Sequence, residues 1–380
     1  MKSRSFWPNL ALLLASLVIT LGALEIVLRF LPVSTGLDIQ PVNEQNPYFH
    51  GRPHREFVFS RDWNFSIVNH GRTNAQGWVN EQDYDPARTD PLLSFVGDSM
   101  VEALMVPFWE TAHGRLARKV EGKGRVYSFA FSGAPLSQYL AWAKHAAQTY
   151  RSSGLVIVVV GNDFDESVRR YAKKPGFHQY DRSDEAPDWR LVRNDYVPSP
   201  MRHVVNASSL LQYLYRNVQV TRIKIRNRIR EYFAGESTKM TTAEVAPYEA
   251  NVPVAHTSKR LRDSQHAVDL FLRDIVAMSG LPRERILFVV DGLRNRIYRG
   301  EPRDLSESFA AKMFAYFLEA AQKSGFEVID MHDVFAADFA LNRRRFEFAT
   351  DGHWSDYGHR VAAAAIVESN VFRTVFGQPD

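Results

Sequence analysis

Apolar residues follow three different patterns along this chain. Residues 10–31 form one long apolar run, and residues 33–88 are rich in Pro, Asn, Arg and Gly with little periodicity. From residue 89 to about residue 375, short apolar runs alternate with stretches in which apolar residues recur at helical spacing. We therefore predict an N-terminal anchor over 1–32, a stem and docking segment over 33–88, and a folded domain over 89–375.

The short apolar runs of the third part predict the strands of one sheet. They begin at Leu92, Arg125, Leu155, Ile286 and Glu327, the last including Met331. The run at 155–160, LVIVVV, is continuous and β-branched, which is typical of a strand covered by helices on both faces of a parallel sheet. Helices are expected from Ser99 to about Val120 and from about Ser137 to Tyr150. This alternation predicts an α/β fold with one doubly wound sheet, whose ligands bind beyond the carboxyl ends of its strands.

The apolar run at residues 10–31 is long enough to cross a membrane, because as a helix it would span roughly 33 Å. Glu25 and Arg29 lie in its last third, four residues apart, and are expected to pair and reach the headgroups. Basic residues precede the run, so the rest of the chain is expected on the periplasmic side of a cytoplasmic membrane, held by a single uncleaved span. A signal peptide cleaved near Ala23 is the alternative.

A segment of different character, about residues 166–278, interrupts the alternation and predicts a mostly helical insertion. Within it, residues 207–233 are expected to form a long helix with many basic residues. A solvated helix face is the common interpretation of such a pattern, and contact with anionic headgroups or an acidic glycan is the alternative.

Upstream, the segment from Asn74 to Trp78 predicts a hairpin turn, with a lid near a functional site as the alternative.

Composition excludes several classes of site. The chain of 380 residues has 45% hydrophobic and 12% aromatic residues, as expected for a packed globular protein, and no cysteine. Disulfides, thiolate zinc sites and a cysteine nucleophile are therefore excluded. The formal net charge of +4 is small for this length and does not indicate a nucleic-acid partner.

The first strand ends in Gly97-Asp98-Ser99, a tight turn that leads into a helix. Glycine adopts backbone angles that other residues avoid, and a serine at a helix start lies among free amides that favour an anion. This arrangement suits a nucleophile. An ordinary N-cap is the alternative, because Asp and Ser after a strand are also common capping residues.

A second cluster of chemically active side chains lies near the C-terminus, at Asp351, His353, Asp356 and His359. Asp351 and His353 are expected in a loop before a helix that includes residues 361–367. A metal site made of all four residues is a minor alternative, since their spacing matches no familiar ligand pattern. We expect neither a metal nor an organic cofactor.

Four blocks taken together resemble those of the SGNH (GDSL) hydrolase superfamily. They are Gly97-Asp98-Ser99, Gly133 after the second strand, Gly161-Asn162-Asp163 after the third, and Asp351-Gly352-His353. Their order and their placement at strand ends match across roughly residues 92–370. The anchor, the Asn74 turn and the Asp-x-His pattern also resemble membrane-tethered members and the alginate O-acetylation proteins.

The resemblance implies a flavodoxin-like three-layer sandwich and a set of site residues. Ser99 would be the nucleophile, His353 the general base and Asp351 the residue that orients the imidazole. The backbone amides of Ser99 and Gly133 and the side-chain amide of Asn162 would form the oxyanion hole. Many members place the aspartate three residues before the histidine, where this chain has Thr350, so Asp356 is a fallback partner.

Tethered relatives often have an arginine after the Gly-aromatic pair of the Asn74 turn, where this chain has Val79, which weakens the lid reading.

These residues predict ester chemistry through an acyl-serine that is passed to water or to a sugar hydroxyl. An acylated carbohydrate of the cell envelope or an exopolysaccharide is the expected substrate, because such esters are within reach of a tethered, exported domain. A lipid ester is the alternative among enzymes. An inactive module of the same fold that binds a glycan or an envelope partner is the alternative from another class.

Overall fold

The computed structural model describes residues 6–182, 188–219, 248–250, 252–302 and 308–377. Its strands are β1 (Glu56–Arg61), β2 (Ile67–Arg72), β3 (Leu92–Gly97), β4 (Arg125–Ala130), β5 (Gly154–Val159), β6 (His178–Asp181), β7 (Arg190–Arg193), β8 (Tyr248–Glu249), β9 (Val252–Pro253), β10 (Ile286–Val290) and β11 (Glu327–Asp330).

The α-helices of the described residues are α1 (Phe6–Leu28), α2 (Ser99–Glu102), α3 (Ala112–Lys119), α4 (Leu136–Tyr150), α5 (Asp163–Glu166), α6 (Met201–Asn206), α7 (Ser209–Gln212), α8 (Ser258–Ser279), α9 (Arg294–Arg299), α10 (Phe309–Lys323), α11 (Met331–Asn342), α12 (Asp356–Val367) and α13 (Asn370–Phe376). Two 3₁₀ turns lie at Phe108–Glu110 and Arg283–Arg285, and one π-helical turn lies at Tyr213–Asn217.

Five parallel strands form the central sheet in the order β11-β10-β5-β3-β4. Read from the β4 edge, this is the second, first, third, fourth and fifth strand of the sheet, the order of flavodoxin-like folds. The register pairs Val96 with both Phe129 and Ile157, so β3, β4 and β5 end along one edge. The predicted doubly wound α/β fold with a parallel sheet is confirmed.

Helices cover both faces of this sheet. On one face, alternate strand residues such as Phe95 and Val156 pack against α3, α11, α12 and α13 in a continuous apolar core. On the other face, α4 and α10 contact the strands, and α8 packs against both helices. Every residue of β3, β4, β5 and β10 is buried, which explains why these strands appear in the sequence as nearly continuous apolar runs. The three-layer arrangement is therefore confirmed.

The helix predicted from Ser99 to about Val120 is wrong as a single element. The helix that begins at Ser99 ends at Glu102, because Ala103 adopts a left-handed conformation with φ of 47°. Pro107 follows, and a proline has no amide hydrogen to continue a helix. A new helix, α3, begins only after Thr111, whose hydroxyl accepts a hydrogen bond from Gly114 N. The break leaves α2 short, so that Ser99 lies on a tight corner.

Two smaller boundaries also differ from the prediction. Met331 begins α11 rather than ending a strand, because the Asp330 carboxylate accepts a hydrogen bond from His332 N and caps the helix. Within residues 207–219, α7 and the π-helical turn form one short helical stretch from Ser209 to Asn217, and Gln219 has φ of 56°, so they are not the start of one long helix. The remainder of the predicted basic helix, residues 220–233, lies outside the described residues.

The chain divides into two units, of which the first comprises residues 1–37, 56–70 and 198–240. Its helix α1 has 23 residues and includes an 18-residue window with a mean hydropathy of 2.4, so it is long and apolar enough to cross a membrane, as both anchors and signal sequences are. Within this unit Arg29 Nε lies 3.0 Å from Glu25 Oε1, which confirms the predicted pair. The Glu25 carboxylate also accepts hydrogen bonds from Ser208 Oγ and Leu210 N, so it caps the start of α7.

The second unit comprises residues 38–55, 71–197 and 241–380 and contains the central sheet. Within it, the turn predicted at Asn74 is present. The Asn74 side chain accepts a hydrogen bond from Trp78 N at 3.0 Å, and Thr73 pairs with Val79 in an antiparallel bridge. Gly77 has φ of 82°, and a Cβ there would lie 2.1 Å from Gly51 O, so the turn requires glycine.

Candidate active site

Ser99 lies where β3 passes into α2, at the carboxyl edge of the sheet. A Cβ on Gly97 would lie 2.5 Å from a methyl carbon of Val101, so only glycine lets the strand turn this closely onto the helix. The Asp98 carboxylate accepts a hydrogen bond from Met100 N at 2.9 Å and caps α2. Ser99 itself is half-buried.

The loop before α12 brings His353 and Asp351 to this serine. His353 Nε2 lies 2.8 Å from Ser99 Oγ, and His353 Nδ1 is hydrogen-bonded to Asp351 Oδ1. The same carboxylate oxygen accepts a hydrogen bond from His353 N at 3.0 Å. With Nδ1 donating to the carboxylate, Nε2 is the acceptor for the serine proton. The serine, the imidazole and the carboxylate therefore form one continuous hydrogen-bond chain.

Asp98 is a second acceptor for the Ser99 hydroxyl. Its Oδ2 lies 3.1 Å from Ser99 Oγ, slightly farther than His353 Nε2. Burial raises the pKa of Asp98, while the Met100 amide and the charge of His353 act in the opposite direction. Because the hydroxyl has one proton, the two acceptors compete, and the shorter distance favours the imidazole.

Buried side chains at the end of β10 hold the histidine loop in place. Asp291 Oδ1 accepts a hydrogen bond from the indole of Trp354 at 2.9 Å, one residue after His353. Arg294 donates to Gly352 O at 2.8 Å and pairs with Asp291 Oδ2 at 3.1 Å. Burial opposes the charge of Arg294, but Asp291 and Glu347 raise the pKa of its guanidinium above the usual range. The loop is thus fixed on both sides of His353.

Glu102, at the end of α2, connects the serine turn to the loop after β4. Its carboxylate accepts hydrogen bonds from both the backbone amide and the hydroxyl of Ser132. Gly133 follows with φ of 79°, a conformation that favours glycine. Burial raises the pKa of Glu102 to about 7, even though the bonds from Ser132 lower it. Glu102 therefore fixes the backbone that carries the Gly133 amide.

Asn162 lies just beyond β5, but its amide already has a partner. Asn162 Nδ2 donates to Glu166 Oε2 at 3.2 Å, and Lys174 Nζ lies 2.8 Å from Glu166 Oε1. Burial raises the pKa of Glu166, and Lys174 acts in the opposite direction. The same ammonium group would lie 3.8 Å from a Cβ on Gly133, so a positive charge borders the predicted oxyanion position.

The structure places the other two members of the C-terminal cluster away from this hydrogen-bond chain. The exposed carboxylate of Asp356 lies 3.7 Å from Arg344, and His359 is buried with its Nδ1 accepting from Ala112 N at 3.2 Å. Burial lowers the pKa of His359 well below its usual value. Asp351, and not the fallback Asp356, is the carboxylate that contacts His353.

Sequence reasoning missed Asp291, Arg294, Glu102 and Lys174. Asp291 could have been found, because it directly follows an apolar strand, where polar side chains at the carboxyl edge meet. The sequence shows Glu102 only as an acidic residue in a first helical turn, and acidic residues are common at that position. Arg294 and Lys174 depend on loop paths that the hydrophobic pattern does not encode.

A cavity of about 380 Å³ adjoins the histidine loop. It is lined by Asp351 and Gly352, by the start of α9 and by Arg345. Ala250 closes one side and packs against Gly161, where a Cβ would lie 2.3 Å from Ala250 O.

No family model matches the sequence, and no curated protein matches it. Among the solved structures that match is a lipase from a goat rumen metagenome, with 15% identity over 76% of this chain and 100% of its own and a TM-score of 0.36. A lipase/acylhydrolase from Enterococcus faecalis matches with 10% identity over 76% of this chain and 98% of its own, with a TM-score of 0.39.

A mutant of an acetyl-xylooligosaccharide esterase from Geobacillus matches with 10% identity over 75% of this chain and 96% of its own, with a TM-score of 0.38. At these identities and TM-scores the similarity is distant.

The chain is an α/β protein with a flavodoxin-like parallel sheet, and at the carboxyl edge of that sheet a serine, a histidine and an aspartate lie in one hydrogen-bond chain.

Proposed function

We propose that this chain is a serine-dependent ester hydrolase or acyltransferase of the SGNH type that works through an acyl-enzyme on Ser99. The observation that carries the proposal is the position of His353, whose Nε2 lies 2.8 Å from Ser99 Oγ while its Nδ1 bonds to Asp351. A serine hydroxyl becomes nucleophilic when a neutral imidazole accepts its proton, and the resulting imidazolium needs a carboxylate beside it.

The proposed reaction has two steps. In the first, His353 Nε2 takes the proton as Ser99 Oγ attacks the ester carbonyl, and the imidazolium then donates this proton to the departing alcohol. In the second, the imidazole takes a proton from water or from an acceptor hydroxyl, which attacks the acyl-serine; the bond between the acyl carbon and Ser99 Oγ then breaks, and the imidazolium returns the proton to Oγ. Asp351 holds the imidazole in the required tautomer throughout.

The oxyanion formed in each step requires preorganised donors. The Ser99 and Gly133 amides are the proposed backbone donors, supported by the fixed Ser132–Gly133 turn that Glu102 holds. Asn162 is the proposed side-chain donor, and it would release or share its bond to Glu166 when substrate binds. Lys174 would add a positive charge at this position.

The location of the substrate is part of the same proposal. We propose that α1 is a single membrane span and that the catalytic unit acts on the periplasmic side, on acylated carbohydrate of the cell envelope or on exopolysaccharide. Support comes from the 23-residue apolar helix with basic residues before it. The cavity next to Asp351 would accommodate an acylated sugar.

Turnover of a small chromogenic acetate ester by the full chain in neutral detergent tests this proposal. We expect a rapid burst of one alcohol per protein, then slower release, as the acyl-serine accumulates. Ser99→Ala should abolish the burst, and Ser324→Ala, on an exposed serine after α10, should preserve it. A folded protein with no turnover, or a Ser99→Ala variant with full activity, would exclude a serine esterase and favour a binding module.

A further inference from the structure

A groove of about 540 Å³ runs between α3 and α12 in the same unit as the candidate active site. Its floor is apolar and is formed by Leu116 and by the last turns of α12. Its rim is strongly basic, with three cations from α3 and one from α12: Arg115, Arg118, Lys119 and Arg360. One acidic residue, Glu368, also lines the groove.

Most of the positive charge in this groove is not neutralised within the described chain. Glu368 lies 2.7 Å from Arg373, and Arg115 lies 2.5 Å from Glu110, so these two groups have partners. No acidic side chain of the described residues lies within ion-pair distance of the exposed Arg118, Lys119 or Arg360. Exposed like charges repel one another, so an anionic ligand would relieve this repulsion.

Basic side chains continue from the groove toward the histidine loop, where Arg344 lies 3.7 Å from Asp356 and Arg345 lies 2.9 Å from Glu347. The guanidinium groups of Arg360 and Arg344 lie 4.7 and 4.3 Å from the centre of one ring, that of Tyr357. The next residue, Arg345, is exposed and lines the cavity beside Asp351. We call this continuous set the basic track; it consists of Arg115, Arg118, Lys119, Arg360, Arg344 and Arg345.

We propose that the basic track binds an anionic polymer bearing carboxylate or phosphate groups, and that this polymer carries the ester processed at Ser99. The assignment of substrate class rests on the proposed function. A chain with repeating charges fits the track because the cations extend from two helices into the loop that precedes Asp351, whereas a single anionic group would meet only one or two of them. Trp109, which is 39% exposed and stacks with Arg118 at 5.3 Å, offers an apolar surface for the polymer backbone beside the groove.

Binding to defined polymers tests the track separately from catalysis. The full chain with Ser99→Ala, in neutral detergent, is titrated with polygalacturonate, with poly(glycerol phosphate) and with neutral dextran. A track variant combines Arg118→Glu, Lys119→Glu and Arg360→Glu. A control variant combines Lys144→Glu, Lys259→Glu and Arg262→Glu, exposed cations on α4 and α8 that give the same change in net charge.

We expect at least one of the anionic polymers to bind and dextran not to bind, and the two anionic polymers distinguish carboxylate from phosphate recognition. The Kd of the track variant should rise at least about tenfold at low salt and its salt dependence should weaken, because fewer counterions are released. The control variant should stay within about twofold of the parent. Equal losses in both variants, or no binding of either anionic polymer, would each overturn the proposal.

A second measurement connects the track to the reaction. With Ser99 intact, the track variant should show a KM for the acetylated anionic polymer raised at least about tenfold, with a much smaller change in kcat. If an enzyme active on the small ester showed the same KM in the track and control variants, the substrate class would be wrong while the proposed esterase activity would stand. Absence of activity on the small ester would refute the proposed function without affecting the binding result.

Discussion

Replacement of Glu102 by glutamine should remove one defined contribution to the pH dependence of this protein's stability. The Glu102 carboxyl group is 3% exposed and accepts two hydrogen bonds from Ser132 through Oε2. Its Oε1 is buried with no hydrogen-bond partner among the described residues. Burial raises the pKa of Glu102 from 4.5 to about 7, so the folded protein holds this proton more tightly than the unfolded chain does.

The sign and the size of the effect follow from this difference. Between the unfolded pKa of 4.5 and the folded value of about 7, the Glu102 carboxyl binds more protons in the folded state, so its contribution to the free energy of unfolding falls as the pH rises. Stability from this group is fully present below that window and is lost above it. A difference of this size corresponds to a loss of roughly 2 to 3 kcal/mol between about pH 5 and pH 8.

Guanidinium unfolding of the full chain, followed by tryptophan fluorescence near pH 5 and near pH 8, measures this term. We expect the change in unfolding free energy from about pH 5 to about pH 8 to be more favourable to the folded state in Glu102→Gln than in the parent by roughly 2 to 3 kcal/mol, because glutamine does not ionise. The same substitution at the exposed Glu121 is the control and should leave the difference as in the parent. If Glu102→Gln keeps the full pH dependence of the parent protein, then Glu102 is not the buried titrating group.

Three further substitutions test the site. Asp351→Asn should lower the rate of ester turnover by about 10³- to 10⁴-fold, because the imidazole tautomer is no longer fixed. The control substitution Asp356→Asn should change the rate little. Equal effects of the two substitutions would make Asp351 an ordinary capping residue. Asn162→Ala should lower kcat by about 10²- to 10³-fold with little change in KM, and an unchanged kcat would show that Glu166 keeps this amide during the reaction. Trp354→Phe should lower the unfolding free energy by about 2 kcal/mol in a denaturation experiment, through loss of the bond to Asp291, and an unchanged midpoint would contradict that role.

The strands that carry the site were largely accessible from sequence. β3, β4, β5 and β10 are buried on both faces, so their apolar runs are nearly continuous, and the carboxyl-edge rule then places Ser99 and Asn162 near one edge. Helix breaks were less accessible. The end of α2 depends on the left-handed conformation of Ala103, which no propensity of alanine indicates.

The pairing within the site was accessible only in part. Asp351 is two residues before His353, and the resemblance alone left Asp356 as a fallback partner, because the choice depends on how the loop turns. That turn is set by Arg294 and Asp291, which contact the loop from a different strand end. Such long-range contacts between buried charged groups have no periodic signature in the sequence. The hydrogen bond between Asn162 and Glu166 could not be predicted from the sequence for the same reason.

The most direct test of the central claim is reaction of the full chain with a fluorophosphonate, followed by mass spectrometry of its peptides. An activated serine reacts because a neutral imidazole removes its proton, and this reagent phosphonylates such serines. We expect stoichiometric modification of Ser99 that falls sharply in His353→Ala, while His266→Ala, on an exposed histidine of α8, retains it. A folded protein in which Ser99 stays unmodified, or in which its modification is unaffected by His353→Ala, would contradict the account.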